Sequence, residues 1–318
     1  MKVFLTGGAG FVGSYIVELL LKDEKIEKIT ILDNLLRGSY RNMASFIDNP
    51  RVNFVDGDIK DEALLEKCIS ESEYVFHLAA YRINRCAADP EDAFEVMTKG
   101  TFNVVNMCKK HNIKKLIYSS SASVYGLAQN FPTPETDNPY DNQTFYGAAK
   151  LWGEALLRSY HHMFGLNYVG FRYFNVYGPR MDTEGKYTEV MVKWLDCIKK
   201  GTAPKIFGDG STSMDFVHVK DIAGANVAAF YSDVTNEVFN VGCQRETSLK
   251  ELLELLLEVN ESKLKPEFHP DNTVNPVSKR IADISKLKEL LKYNPKISLE
   301  EGLKELSDWY FEIKGQVS

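Results

Sequence analysis

Three polar side chains near the middle of the chain have the types and spacing needed for proton transfer. Tyr146 and Lys150 are four positions apart, so on a helix they share one face. An ammonium beside a phenol favours the phenolate and is expected to lower the tyrosine pKa towards the working range. Ser121 follows a predicted strand upstream, and its hydroxyl is expected to contact the same substrate oxygen. These three are the predicted catalytic residues.

The same tyrosine–lysine spacing recurs at Tyr310 and Lys314, in a predicted surface helix. That second pair is interpreted as a chance match, because no glycine-rich turn lies near it in the sequence. The pair at 146 and 150 follows the serine-rich end of a strand. A plain helix-surface pair is its alternative interpretation.

A glycine-rich turn between a strand and a helix opens the chain. Gly7 permits a tight turn, Gly10 lets the backbone approach a pyrophosphate, and Gly13 lets the helix pack closely on the strand. The next apolar run ends at Asp33, where a carboxylate would accept hydrogen bonds from ribose hydroxyls. The pattern predicts an NAD site, since a 2′-phosphate would face a like charge. Arg37 is either a 2′-phosphate ligand or a solvated loop cation.

Composition excludes several classes of function. The chain has 318 residues, 44% of them hydrophobic and 26% charged, and a formal net charge of −6. This balance argues against nucleic acid or an anionic membrane as the main partner. We expect no membrane span, no signal peptide and a cytoplasmic location, because apolar runs are short and the first strand begins at once. The five scattered cysteines favour free thiols, and no metal site is expected.

Strand-like runs alternate with helical patterns through the first half of the chain. This alternation predicts an α/β fold with a Rossmann-type, doubly wound parallel sheet. We expect residues 1–174 to form the NAD-binding domain, with segments around 215–236 returning to it. Residues 175–318 are expected to form mainly a smaller, mixed α/β substrate-binding region. Ligands of such sheets lie beyond the carboxyl ends of the strands.

Short motifs are spread over nearly the whole length of the chain. They are Thr6–Gly13, Asp33, Asp58-Ile59, Leu78–Ala80, Ser119–Gly126, Tyr146 with Lys150, Arg172–Arg180, Gly208–Asp221 and Ala282–Ser285. In combination they resemble the extended short-chain dehydrogenase/reductase family, in its NAD-dependent nucleotide-sugar epimerase branch.

The resemblance implies a role for each matching residue. Tyr146 would be the general base and acid, Lys150 would hold the nicotinamide ribose, and Ser121 would bind a sugar hydroxyl. The implied cofactor contacts are Gly7, Gly10, Phe11, Val12, Gly13, Asp33, Asn34, Asp58, Ile59, Leu78, Ala79, Ala80, Ser119, Tyr146, Lys150, Tyr173 and Val176. The implied substrate contacts are Ser121, Ser123, Tyr125, Tyr146, Asn175, Met214 and Arg280.

The stretch between Ser121 and Tyr125 discriminates among reactions of the family. Related 4,6-dehydratases carry Thr-Asp-Glu there and related decarboxylases a glutamate, whereas this chain has no carboxylate. The resemblance therefore favours 4-epimerisation of a nucleoside-diphosphate sugar, through a transient 4-keto sugar with hydride returned from NADH. Other 4-keto chemistry is the alternative: uronic acid epimerisation, decarboxylation, reduction, or 3- or 5-epimerisation using Cys86, Lys99 or His218. A non-catalytic NAD-binding regulator is a further alternative.

Three positions depart from the family pattern. Met97 stands where the family has an asparagine, and Met214 replaces an arginine that contacts the substrate diphosphate or nucleotide. Arg280 stands at a position that controls substrate size in several 4-epimerases of neutral sugars. It would recognise a carboxylate, replace the missing phosphate contact, or form a salt bridge at the rim.

The resemblance also implies a homodimer. Relatives commonly pair through two helices per subunit, which correspond here to Pro90–His111 and Thr144–Phe164. Both segments are apolar on more than one face, although burial within one subunit explains that pattern nearly as well.

Overall fold

The computed structural model describes residues 1–183, 189–270 and 277–315, with every side chain in these ranges except that of Tyr140. The first half of the chain builds six strands of one parallel sheet, and a later strand completes it. These strands are β1 (Lys2–Thr6), β2 (Lys28–Asp33), β3 (Val52–Asp56), β4 (Tyr74–His77), β5 (Lys115–Ser121), β6 (Tyr168–Tyr173) and, later in the chain, Glu237–Val241.

The order of strands across the sheet is β3, β2, β1, β4, β5, β6 and then Glu237–Val241. Every pairing in it is parallel. The chain thus runs outwards from β1 in one direction and then returns to build the other half. The predicted Rossmann-type, doubly wound α/β fold is confirmed.

Helices cover both faces of the sheet. They are α1 (Phe11–Leu20), α2 (Tyr40–Met43), α3 (Glu62–Ser70), α4 (Ile83–Ala88), α5 (Pro90–Ala93), α6 (Thr101–Lys110), α7 (Phe145–Phe164), α8 (Val190–Lys200), α9 (Val219–Tyr231), α10 (Leu249–Val259), α11 (Ser285–Leu290) and α12 (Leu299–Gly315). Helix α1 packs against α9 on one face, while α3, α6 and α7 pack side by side on the other. The buried strands are hydrophobic on both sides for this reason.

The predicted helix over Pro90–His111 is interrupted. Residues Phe94–Gly100 form a π-helix between α5 and α6. The sulfur of Met97, within this segment, accepts a hydrogen bond from the backbone N–H of Tyr81 at 3.0 Å. A π-helical turn is a local expansion that often lies beside a functional site. Here a thioether takes a backbone donor at the position where the family has an amide.

The second half of the chain forms small sheets beside the main one. Their strands are β7 (Asn175–Tyr177), β8 (Lys205–Phe207), β9 (Ser213–Met214), β10 (Phe216–His218), β12 (Thr247–Ser248), β13 (Glu267–His269) and β14 (Lys279–Arg280). Between β10 and β12 the chain forms β11 (Glu237–Val241), which is the edge strand of the main sheet described above. β7 pairs with β10, β8 with β13, and β9 lies between β12 and β14. Helices α8, α10 and α12 enclose a core of their own around Trp194, Leu253 and Leu303.

A chain of buried hydrogen bonds ties β1 and β4 to α6. The Ala79 N–H donates to Thr6 Oγ1 at 3.2 Å, and that hydroxyl contacts His77 Nδ1 at 2.7 Å. His77 Nε2 lies 3.0 Å from Thr101 Oγ1, which donates to the Met97 carbonyl at 2.8 Å. Because Thr101 spends its proton on that carbonyl, the network requires a neutral His77 with its proton on Nε2. Burial lowers the pKa of His77 to about 3.

His77 should make stability fall on acidification. The unfolded chain binds a proton near pH 6.5, whereas folded His77 stays neutral until about pH 3. Its contribution is therefore complete above pH 6.5 and is lost as the pH falls below it. Between pH 8 and pH 5, the free energy of unfolding should fall by about 2 kcal/mol more in the unsubstituted chain than in His77→Gln. Urea unfolding at both pH values measures this difference, and equal falls would contradict the neutral state.

Candidate active site

A cleft of about 640 Å³ opens at the carboxyl ends of the main strands. All seventeen residues predicted to contact the cofactor line it. They come from the turn after β1 and the start of α1, from the carboxyl ends of β2, β4, β5 and β6 or the residues just after them, from the segment after β3, from the start of α7 and from β7. A parallel sheet gathers these distant segments at one edge, as the strand pattern predicted.

The glycine turn leaves no room for side chains. Gly7 has φ 74°, and a Cβ there would lie 2.8 Å from the Ala79 nitrogen. A Cβ on Gly13 would lie 2.3 Å from the Gly7 carbonyl oxygen, so α1 packs directly on the turn. Gly10 is the N-cap of α1 and supplies no side-chain cap, which leaves first-turn N–H groups of the helix for an anion. These features fit a dinucleotide pyrophosphate.

The carboxylate of Asp33 is held by backbone donors. Its Oδ2 accepts from the Ala9 N–H at 3.1 Å and its Oδ1 from the Leu35 N–H at 2.9 Å. Burial raises the pKa of Asp33, and the two backbone bonds oppose that shift. The next polar residue, Asn34, donates to Asp58 Oδ2 at 3.1 Å. The adenosine end of the cleft therefore presents a prearranged acidic edge.

Arg37 lines the same cleft. Its pKa is lowered to about 10, by burial and then by the neighbouring charge of Arg82, while Asp182 and Glu189 oppose the shift. The sequence left open whether this residue binds a phosphate or only solvent. Its place in the wall of the cleft favours contact with a bound ligand.

Helix α7 brings the predicted catalytic pair to the cleft. Thr144 caps the helix by accepting the Gly147 N–H at 3.1 Å, so Tyr146 and Lys150 lie in its first two turns. Lys150 Nζ donates to the Ser119 carbonyl at 2.5 Å and lies 5.9 Å from the centre of the Tyr146 ring. Ser121, at the end of β5, hydrogen-bonds with the Tyr146 phenol. The three residues predicted from the sequence are brought together.

The expected direction of the tyrosine shift is wrong. Burial raises the pKa of Tyr146, opposed first by the hydrogen bond from Ser121 and then by Arg37 and Arg280. Burial also lowers the pKa of Lys150 to about 8. Desolvation disfavours the charged form of each group and is the largest cause of both pKa shifts.

A buried ionic network supports α7 one turn beyond Lys150. Arg172 forms a bidentate salt bridge with Glu154: its Nε donates to Oε1 at 3.0 Å and its Nη2 donates to Oε2 at 2.7 Å. The Ser120 hydroxyl donates to the same carboxylate at 2.5 Å. Arg172 also donates to the Tyr125 hydroxyl at 2.8 Å, which in turn donates to Asn240 at 2.6 Å. The network joins α7, β5, β6 and β11.

The residues predicted to contact the substrate do not all lie in one place. Tyr125 was expected to contact the substrate, but it does not line the cleft. Its side chain is buried, and its hydroxyl is hydrogen-bonded within the ionic network. Asn175 donates to the Asp215 carbonyl at 3.2 Å, and Met214 sits in β9 opposite Arg280 of β14. Ser123 and Arg280 line a second, smaller pocket together with Ile83, Thr144 and Val277.

Sequence reasoning missed several residues of the site. Tyr81, Arg82, Arg180 and Trp309 also line the cleft. Arg180 donates to Ser14 Oγ at 3.0 Å and has φ 72°, an unusual backbone conformation for an arginine. Its place in the motif ending at residue 180 was a usable signal. No pattern around Trp309 indicates a site, because α12 reaches the cleft only through tertiary packing.

Tyr310 behaves as the chance match that its sequence context indicated. It is buried in α12 and its hydroxyl donates to Asp196 at 3.2 Å. Within residues 1–183, 189–270 and 277–315, no cluster of His, Cys, Asp or Glu could hold a metal ion. No helix in those ranges is long and apolar enough to cross a membrane. All five cysteines are free thiols.

Residues 3–242 match the model of the NAD dependent epimerase/dehydratase family. The chain belongs to this family. It is 34% identical to the putative UDP-glucose 4-epimerase of Methanocaldococcus jannaschii, over 96% of this chain and 97% of that protein. The UDP-glucose 4-epimerase of Thermotoga maritima, solved with UDP-glucose, is 34% identical and has a TM-score of 0.91, covering 99% of this chain and 100% of that one.

A third similar protein is the UDP-N-acetylglucosamine 4-epimerase of Methanobrevibacter ruminantium, solved in complex with UDP-N-acetylmuramic acid. It is 35% identical, has a TM-score of 0.92 and covers 98% of each chain. The predicted family, enzyme class and NAD cofactor are confirmed by these comparisons. The names of the relatives agree with the predicted epimerisation of a nucleotide sugar.

Two glycine variants should separate packing from cofactor contact. Gly13→Ala forces α1 off the turn, because its Cβ meets the Gly7 carbonyl, and should lower the free energy of unfolding by about 1–3 kcal/mol. Gly10→Ala, whose Cβ would lie 3.1 Å from the same oxygen, should fold almost normally and still lose NAD affinity. Urea unfolding and calorimetric NAD titration measure both effects.

Gly315→Ala is the control, because its Cβ would meet nothing within 4 Å. Unchanged stability in Gly13→Ala would contradict the close packing of α1. Unchanged NAD affinity in Gly10→Ala would contradict the assignment of this turn to the pyrophosphate.

Proposed function

We propose that this chain is a 4-epimerase of a UDP-linked sugar that uses NAD as a resident cofactor. The observation that carries the proposal is that Tyr146 and Lys150 line the cleft, with the Ser121 hydroxyl beside the Tyr146 phenol. These residues supply one acid–base group beside the cofactor, and residues 121–125 contain no carboxylate for elimination or decarboxylation. The relatives named as UDP-sugar 4-epimerases support both the reaction and the nucleotide.

In this mechanism Tyr146 takes the proton of the C4 hydroxyl. It later returns the proton to the same oxygen, after hydride has been added to the opposite face of C4. Ser121 bonds the same oxygen and steadies it as it becomes a carbonyl. Bound NAD would supply the hydride acceptor and donor, held by the seventeen residues of the cleft. Lys150 is fixed by the Ser119 carbonyl and keeps a positive charge beside the phenol, which favours the phenolate during proton transfer.

The alternative bases support this choice by their positions. Lys99 is paired with Glu95 at 2.9 Å on the exposed side of the π-helix. His218 is buried against the ring of Tyr177, and burial lowers its pKa to about 4. Cys86 lies near Tyr146, but burial raises the pKa of its thiol to about 11. None of the three lines the cleft, so none offers the base beside C3 or C5 that 3- or 5-epimerisation needs.

We assign the NAD-binding domain to residues 1–174 together with α9 and β11, which pack on the main sheet. The remaining part of residues 175–318 would form the substrate-binding region. The packing of α9 against α1 supports the return of the chain to the first domain. We place the protein in the cytoplasm, a proposal supported by its free thiols.

We also propose a homodimer formed through α6 and α7. Phe102, Tyr160 and Phe164 form a chain of edge-to-face rings on these helices, with centroids 6.4 Å and 5.1 Å apart. Phe102 is 41% exposed, Phe164 47% and neighbouring Met163 69%. An apolar patch of this kind on two adjacent helices supports burial against a second copy.

Tyr146→Phe should strongly reduce turnover while the protein still binds NAD. Loss of the acid–base group should lower kcat about 10²- to 10⁴-fold, while NAD and UDP-sugar binding persist. Proton NMR of a UDP-sugar panel in D₂O measures this: UDP-glucose, UDP-N-acetylglucosamine and UDP-glucuronate, with no added cofactor. The unsubstituted chain should form a C4 epimer with no deuterium in the ring. Deuterium at C3 or C5, loss of a carboxylate, or stoichiometric NADH would refute 4-epimerisation.

Phe102→Glu should convert the dimer to a monomer, because it places a charge in the centre of the proposed interface. Light scattering after gel filtration measures the mass. Leu290→Glu is the matched control, since Leu290 is 42% exposed on α11 at another surface and should leave the dimer intact. The same mass for both variants would refute this interface.

A further inference from the structure

Arg280 occupies an unusual place in the small pocket beside the cleft. It ends β14, where it pairs with Met214 of β9, and its carbonyl accepts the Asp215 N–H at 2.8 Å. Its partly buried side chain lines the pocket with Ser123. The preceding residue, Lys279, faces elsewhere, with Nζ 2.7 Å from Glu246 and 5.4 Å from the Phe131 ring centre. Strand alternation thus separates the two cations.

The guanidinium of Arg280 has no hydrogen-bond or ion-pair partner among the residues that the structure describes. The rim salt bridge considered from the sequence is therefore not formed within those residues. Burial lowers the pKa of Arg280 to about 10, and the Tyr146 phenol opposes that shift. Arg280 is cationic at neutral pH, and a desolvated cation with no partner among the described residues is unfavourable unless an anion binds it.

The neighbourhood of Tyr146 restricts where that anion is attached. In the proposed reaction Tyr146 contacts the C4 hydroxyl, so a group close to its phenol faces the part of the sugar around C4. Substituents at C3 and C5 adjoin that carbon, whereas the diphosphate is attached at C1, across the ring. Arg280 lines a pocket with Ser123, and its charge acts on the Tyr146 phenol, so in the proposed reaction it would face substituents next to the reacting carbon.

We propose that Arg280 binds a carboxylate carried by the sugar, and that the preferred substrates are acidic UDP-sugars. The inference rests on the proposed function and extends it to a substrate class. The planar guanidinium matches a carboxylate in a two-pronged contact, as it does between Arg172 and Glu154 in the same chain. The acid is either the C6 carboxylate of a uronate or an acid ether-linked at C3.

The test is calorimetric binding to the NAD-loaded Tyr146→Phe protein, in which turnover cannot consume the ligand. The probes are UDP-glucuronate, UDP-N-acetylmuramate, UDP-glucose, UDP-N-acetylglucosamine and UDP alone. Arg280→Met should weaken one acidic sugar about 10- to 100-fold and change UDP-glucose and UDP less than about 2-fold. UDP-glucuronate and UDP-N-acetylmuramate separate a C6 carboxylate from one attached at C3.

Arg280→Lys keeps the charge without the planar fork and should lose an intermediate factor for the same sugar. Lys279→Met is the matched control and should leave all affinities unchanged. Equal weakening of every UDP ligand, UDP included, would overturn the inference and assign Arg280 to the diphosphate. Unchanged affinity for both acidic sugars would overturn it as well.

The two proposals fail separately. If the unsubstituted chain epimerises no UDP-sugar but Arg280→Met still selectively lowers the affinity for an acidic UDP-sugar, the proposed 4-epimerase function is refuted and the carboxylate site is supported. If neutral UDP-sugars are epimerised and Arg280→Met binds and converts them normally while no acidic sugar binds, the function stands and the carboxylate site falls.

Discussion

The buried pair of Arg172 and Glu154 is the interaction on which the geometry of the site most depends. It fixes the middle of α7 against β5 and β6 through two charge-assisted bonds and a third from Ser120. Because Lys150 lies one turn before Glu154, the position of the catalytic helix follows from this contact. Removing one partner would leave a buried charge unpaired, which typically destabilises a protein by about 3–5 kcal/mol. The hydroxyl of Tyr125 belongs to this network through Arg172 and Asn240.

A second constraint holds the C-terminal region against the sheet. Asp215 is buried and accepts backbone N–H groups of Cys243, Gln244 and Ala282 at 2.7, 2.8 and 3.1 Å. Burial raises its pKa to about 6, and the three donors oppose that shift. The same residue donates its own N–H to the Arg280 carbonyl. The Asp215 carboxylate and its backbone N–H therefore fix the position of the segment from Arg280 to Ala282, which includes a residue of the small pocket.

Three of the arginines in and around the site, Arg172, Arg180 and Arg280, show how similar side chains take different roles. Arg172 is satisfied by a buried carboxylate and stabilises the fold. Arg180 hydrogen-bonds with Ser14 and is ion-paired with Glu18, so it connects the segment after β7 to helix α1. Arg280 lacks such a partner among the described residues and lines the small pocket with Ser123. The presence or absence of a protein partner, rather than residue type, is what distinguishes Arg280 from the two structural arginines.

The sequence alone predicted the parallel sheet, the glycine turn, the seventeen positions that line the cleft and the meeting of Tyr146, Lys150 and Ser121. The sheet and the turn follow from hydrophobic alternation, strand ends and helix spacing, which act over a few residues, whereas most of the cleft positions came from the motifs shared with the family. Only the tertiary structure decided the π-helix at Met97, the burial of Tyr125 and the approach of Trp309 to the cleft. It also reversed the expected pKa shift of Tyr146, because desolvation depends on everything packed around a group. Spacing reports which side chains are neighbours, whereas burial and pairing are properties of the assembled chain.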